Sequence, residues 1–276
     1  EACRHARHGH TPTRASSMRH EPVNLGEASV ASLHAAMRAG RVTSLALVDH
    51  ALARVETHDR SGPMLRAMLD VDPDARDVAR ARDEEWKQGQ TRGPLHGIPF
   101  VVKANIDTAD AMPTSAGSLA LASHVAERDA TVVERIRAAG GVLVGKTNLS
   151  EWANYRSHRS ASGWSSLGGQ TRNPYALDRT PCGSSSGSAV AVAAGYVPLA
   201  IGTETNGSIT CPASVTGIVG FKPTVGWVSR AGIVPASASQ DTAGPMARSV
   251  PDVAVLFDVI AGADDRDPTT GANRGR

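Results

Sequence analysis

Lysine is scarce in this sequence: Lys87, Lys103, Lys146 and Lys222 are all there is among 276 residues. Aromatic side chains number ten and cysteines three (Cys3, Cys182, Cys211), an odd count at unrelated spacings that points to neither a disulfide framework nor a zinc site. Charge of one sign is not in excess either. With 29 basic and 27 acidic residues spread along the chain, the net +2 gives no reason to expect nucleic acid or an anionic membrane as partner. The longest apolar run, 189–201, is interrupted by Gly195 and Pro198 and falls short of the ~20 residues that cross a bilayer. With no stretch resembling a signal peptide, the expectation is a soluble protein, with the cytoplasm favoured. The last histidine is His158. What the chain does have is 41% hydrophobic residues, enough for a sizeable core in one large domain or two small ones.

The opening segment, 1–22, crowds histidine and arginine among small polar residues with no apolar periodicity and reads as a disordered tail. His5, His8 and His10 in it lack the carboxylate or rigid surroundings of a metal site, so no metal is expected. The segment 265–276 is equally polar and reads as a second disordered tail, leaving 23–264 as the domain. Apolar residues at helical spacing predict helices over 30–37, ended by Gly40, and over 45–55 with Ser44 as N-cap. A charged helix is expected over 74–87. The run from Gly97 to Lys103 and the run from Val142 to Lys146 read as buried strands, separated by a helix that Thr131 and Glu134 open as a capping box and Gly140-Gly141 close. Strand, helix, strand with continuously apolar strands is the pattern of a βαβ unit and a parallel sheet. A helix made only of small apolar residues is expected at 189–194, further strands at 218–222 and 227–229, and a last amphipathic helix at 251–261.

Gly183-Ser184-Ser185-Ser186-Gly187-Ser188 opens directly onto the Ala/Val helix, which a flexible linker would not do. A phosphate cradle suits glycines and hydroxyls at a helix start, but the Lys-Ser/Thr pair of a P-loop is missing. The G-x-S-x-G pattern of a nucleophile elbow would make Ser185 the nucleophile, and that fold needs a histidine further along, where there is none. A serine without histidine can be activated by a neutral lysine, whose pKa has to fall by roughly 3 units through burial or positive neighbours. Lys103, Lys146 and Lys222 each end an apolar run, whereas Lys87 sits in the charged helix. A second loop, Gly202-Thr203-Glu204-Thr205-Asn206-Gly207-Ser208, follows another apolar strand and could converge several backbone N–H groups on one oxyanion, with Ser208 placed to attack.

Together these motifs resemble the amidase signature family: a lysine after G-I-P-x-x-V, the Gly-Ser-Ser-Ser-Gly-Ser loop before an Ala-rich helix, and G-T-x-T-x-G-S 24 residues beyond Ser184. The segments Gly217-Ile218-Val219-Gly220-Phe221-Lys222-Pro223-Thr224 and Ser239-Gln240-Asp241-Thr242-Ala243-Gly244-Pro245 resemble it too. The resemblance implies an α/β fold, a large mixed, mostly parallel sheet flanked by helices. It implies a Ser-cisSer-Lys triad with Ser208 as nucleophile, Ser184 as bridging serine on a cis peptide and Lys103 as base. The backbone N–H groups of Thr205, Asn206, Gly207 and Ser208 would form the oxyanion hole. No cofactor is implied. Stretches 147–155 and 168–175 look most like the peptide amidases, which remove ammonia from C-terminal carboxamides of peptides. That similarity assigns Trp152, Asn154, Tyr155, Ser185 and Gln170 to substrate binding. With it comes a short-peptide or small-molecule amide as partner. The alternatives are a general small-amide amidase, the glutamine-hydrolysing subunit of a tRNA-dependent amidotransferase, and a truncated, inactive domain. Ala104 stands where the family often has an acid, Asn206 where it has Gly or Asp, and Thr210 where it has arginine. Family members usually continue past this C-terminus, so the chain reads as an amidase core lacking its end.

Overall fold

The computed structural model describes residues 23–274. Helix α1 (Val30–Arg38) starts at Ser29, whose hydroxyl accepts from Ser32 N, and stops where Gly40 takes φ +65°. Helix α2 (Ser44–Arg54) is capped by Thr43, not by the expected Ser44. The hydroxyl of Ser44 is occupied elsewhere, donating to Gly97 O at 2.9 Å. Strand β1 (Met68–Val71), helix α3 (Ala75–Lys87) and strand β2 (Pro99–Lys103) follow, then α4 (Thr131–Ala138) and β3 (Val142–Thr147). A two-stranded ribbon, β4 (Trp164–Ser165) with β5 (Gly169–Gln170), precedes α5 (Ser186–Ala193). The chain continues through β6 (Leu199–Glu204), α6 (Thr210–Val215), β7 (Val219–Gly220), β8 (Thr242–Ala247) and α7 (Val250–Ile260).

The six-stranded sheet has the order β1-β3-β2-β6-β8-β7. Its centre, β3-β2-β6, is parallel, and the pairings outside it are antiparallel, so four of the six strands point the same way. This is the mixed, mostly parallel sheet expected, and β2-α4-β3 is the expected βαβ unit. Both faces are covered, which is why the central strands are apolar at nearly every position. Alternate side chains enter two cores. Phe100, Val102, Leu143, Leu199 and Ile201 pack with α1, α4 and α7, while Val101, Val144 and Ala200 pack with α2, α3 and α5. Helix α5 lies so close to the sheet that a Cβ on Gly187 would sit 2.2 Å from Ala67 O.

Three local expectations change. The capping box of α4 does not form, because the N-cap is Ala130; Thr131 instead donates to Asp264 and Glu134 pairs with Arg266 at 2.7 Å. Of the two late strands, 218–222 shortens to β7, and 227–229 makes only a single bridge, Val228 to Ala261. The segment from 265 was expected to be disordered. As far as Arg274 it is ordered, with a 3-10 helix at Pro268–Asn273. Polar residues hold it rather than apolar ones: Asp267 accepts from Arg230 at 2.8 Å and Thr270 is fully buried. The tail 1–22 and its histidines lie outside the described residues.

Candidate active site

Parallel strands bring their carboxyl ends to one edge of a sheet, where α/β proteins bind ligands. Here that edge carries Lys103 at the end of β2, Thr147 at the end of β3 and Glu204 at the end of β6. The two glycine and hydroxyl loops, each leading into a helix, meet over it. Ser185 N donates to Ser208 O at 3.0 Å, which joins one loop to the other.

Lys103 has no solvent exposure. Burial pulls its pKa down to about 7, against the opposing pull of the Asp241 and Glu204 carboxylates. Its Nζ lies 2.7 Å from Ser184 Oγ, 2.7 Å from Thr203 Oγ1 and 3.2 Å from Thr203 O. Ser184 is also buried, and the Gly183–Ser184 peptide is cis. The structure therefore brings Lys103 and Ser184 together. Ser208 is 7% exposed, and among the described residues none hydrogen-bonds to its Oγ. The step from Ser208 to Ser184 is not formed in this structure, although the two serines belong to loops in direct contact.

The Ser208 loop is shaped by Glu204. Its carboxylate accepts from Gly207 N at 2.7 Å, Ile209 N at 2.8 Å and Thr210 N at 2.9 Å, and these bonds hold its pKa below the usual carboxylate value despite burial. The Gly207 N–H is thereby committed, which corrects the four-membered oxyanion hole expected. Among the described residues, no loop or side-chain hydrogen bond takes the N–H of Thr205, Asn206 or Ser208. Asp241 holds the loop from the other side, accepting from Thr205 Oγ1 at 2.6 Å and from Ala236 N and Ser237 N.

The assigned substrate residues are placed differently. Ser185 is fully buried; its hydroxyl donates to Thr203 O at 3.0 Å and accepts from Thr203 N at 3.1 Å, so it fastens its loop to β6 and is not presented to a substrate. Gln170 Nε2 is tied to Ser162 O and Thr171 O and lines a separate cavity of about 430 Å³ with Leu177 and Arg179. Tyr155 is 81% exposed. Trp152, Ala153 and Asn154 adopt left-handed backbone, with φ of 51°, 55° and 70°, a conformation that costs non-glycine residues of order 1–3 kcal/mol each. That turn is adjacent to the site: Ala153 lines a cavity of about 20 Å³ together with Asn105, Thr203, Thr205 and Asp241. The remaining aromatics of the region do not wall one cleft, since Trp164 stacks under Arg156 and Tyr175 lines another cavity beside Pro63.

Residue reasoning missed Asn105, Thr203, Glu204 and Asp241. Each sits within or beside a motif already singled out, yet a side chain that only accepts or donates locally leaves no spacing signal. It also missed the bond between Cys182 and Cys211, whose Cα atoms are 6.0 Å apart. The odd count concealed it, because three cysteines at unrelated spacings suggest no pairing.

A buried lysine near neutrality, bonded to a serine on a closely packed loop, can deprotonate a hydroxyl without histidine. Fold and site together define an α/β protein whose sheet edge carries a buried lysine against a serine loop. More narrowly, the Amidase family model matches residues 46–274, and the chain belongs to the amidase family. The peptide amidase of Stenotrophomonas maltophilia is 58% identical, with a TM-score of 0.88 over 91% of this chain and 51% of that one. An amidase family protein from Bacillus anthracis is 42% identical with a TM-score of 0.89, over 91% of this chain and 50% of that one. A glutamyl-tRNA(Gln) amidotransferase subunit from Symbiobacterium thermophilum is 48% identical over 250 residues, 90% of this chain and 49% of that protein. The chain spans about half the length of these relatives.

Proposed function

We propose that the chain is a serine amidohydrolase that converts C-terminal carboxamides of short peptides to carboxylate and ammonia through Ser208, Ser184 and Lys103. The 2.7 Å contact of fully buried Lys103 with Ser184 carries this reading. Neutral Lys103 takes the proton of Ser184, and Ser184 takes that of Ser208 as Ser208 Oγ bonds to the amide carbon. The oxyanion so formed is met by the N–H groups of Thr205, Asn206 and Ser208. The C–N bond then breaks, the relayed proton leaves on ammonia, and water hydrolyses the acyl ester by the same route.

Peptides are preferred as substrate class because of the 58% identity to a peptide amidase. Ammonia release from an amidated dipeptide should fall by roughly 10²–10⁴-fold in Lys103→Ala and at least as far in Ser208→Ala. Equal rates in the wild type and both variants would overturn the mechanism. The 48% identity to an amidotransferase subunit supports a second reading, which predicts glutamine hydrolysis and a stable partner protein. A small-amide amidase would instead hydrolyse simple amides faster than amidated peptides. An inactive domain would turn over none of them.

A further inference from the structure

We propose that Thr203, anchored by Asn105, is a positioning residue that engages both N–H groups of neutral Lys103 and leaves its lone pair to the Ser184 hydroxyl. The inference rests on the reading of Lys103 as the base. A neutral amine offers two N–H donors and one lone pair, whereas an ammonium offers three donors and no acceptor. Lys103 Nζ meets three oxygens, namely Ser184 Oγ, Thr203 Oγ1 and Thr203 O. A carbonyl can only accept, so Thr203 O takes one N–H. The second N–H and the lone pair are then shared between the two hydroxyls, and the base works only if Ser184 is the one that donates.

Asn105 anchors this arrangement: its Nδ2 donates to Thr203 Oγ1 at 3.0 Å, which holds the hydroxyl against the amine, while Ser184 Oγ has the lysine as its hydrogen-bond partner. Thr203 is immobile as well, since its N and O are both bonded to Ser185 Oγ. Asn105 Oδ1 is buried with no partner among the described residues, beside the small cavity that Thr203 also lines, so no other bond pulls the amide away. The charged groups whose field reaches Lys103 are Asp241 and Glu204, each occupied by loop N–H groups. Lys103 is thus held at close range by Thr203, itself fixed by Asn105, and acted on from farther off by the two carboxylates.

The test combines kinetics with nitrogen-15 NMR on lysine-labelled protein, where four lysines give at most four Nζ signals and Lys103→Met identifies the relevant one. Thr203→Val should lower kcat by about tenfold to a hundredfold with KM within twofold, because the amine is no longer aimed. It should also move the Lys103 titration to lower pH, since the ammonium loses an acceptor. Thr203→Ser, which keeps both oxygens, should restore kcat and the titration. Asn105→Asp should move the titration, and the acid limb of kcat, to higher pH through its added negative charge. An unchanged kcat in Thr203→Val, or a Thr203→Ser variant as impaired as Thr203→Val, would overturn the proposal. If the wild type hydrolyses no amide yet the titrations shift as stated, the functional reading fails and the positioning stands. Normal turnover with titrations that do not move overturns the positioning alone.

Discussion

A lysine with no solvent exposure loses the hydration of its ammonium, and Lys103 responds by titrating near pH 7, about three units below a free lysine. Between about pH 7 and pH 10 the unfolded chain therefore binds a proton at this position that the folded chain does not. Stability rises with pH across that window, by about 3 kcal/mol from this group. Lys103→Met removes the titration and leaves few orphans behind, because Thr203 Oγ1 still accepts from Asn105 and Thr203 O from Ser185. The variant should show a higher thermal midpoint than the wild type at pH 7, a smaller gain on going to pH 10, and turnover reduced as in Lys103→Ala. A lower midpoint at pH 7 would mean that the lysine is held charged. Lys103 was legible in the sequence as one of three lysines ending an apolar run. Residue reasoning alone did not separate it from Lys146, and the family resemblance did; both are fully buried and both lie below the ordinary lysine value, and they differ in what they touch. Lys146 Nζ donates to Thr114 Oγ1 and Met112 O, away from the serine loops.

At the scale of elements, the glycine and hydroxyl loop before α5 is a packing device as much as a chemical one. Gly187 lets the first turn of α5 rest on the backbone, with Gly187 N donating to Asn148 O at 3.0 Å. A Cβ there would meet Ala67 O at 2.2 Å, Asn148 O at 2.5 Å and Asn148 N at 2.7 Å, none of which can swing aside. Gly187→Ala should therefore cost roughly 3 kcal/mol or more, read from the denaturant midpoint. Gly271→Ala, where a Cβ meets nothing within 4 Å, should stay within about 0.5 kcal/mol and serves as the comparison. The central strands and most helices were legible because both sheet faces are buried and the helices are amphipathic. Strand β1 and strand β8 were not read as elements, since an antiparallel edge strand and a Gly-Pro-interrupted strand carry little periodicity. The α4 cap failed for a related reason. Thr131 and Glu134 have partners 133 and 132 residues away, and local pattern cannot see them.

Across the whole molecule, the bond between Cys182 and Cys211 joins the two loops that carry the site, one residue before Gly183 and three after Ser208. The two cysteines are 29 residues apart, a loop for which chain entropy assigns about 3–4 kcal/mol. Reduction should lower the thermal midpoint by several degrees, and Cys182→Ser and Cys211→Ser should each reproduce the loss. A midpoint indifferent to reductant would show that the loops are held by packing and the Glu204 and Asp241 bonds alone. The sequence by itself determined the family and the layered α/β architecture, because alternation of apolar residues and motif spacing are properties of neighbours along the chain, and the roles given to Ser208, Ser184 and Lys103 are what the resemblance to that family implies. Only the tertiary structure decided that Gly207 is taken by Glu204, that Ser185 is a fastening residue, that two cysteines are joined and that residues 265–274 are ordered. Those depend on which donors and acceptors remain once the backbone is folded, and burial makes each of them find a partner from whatever part of the chain lies nearest.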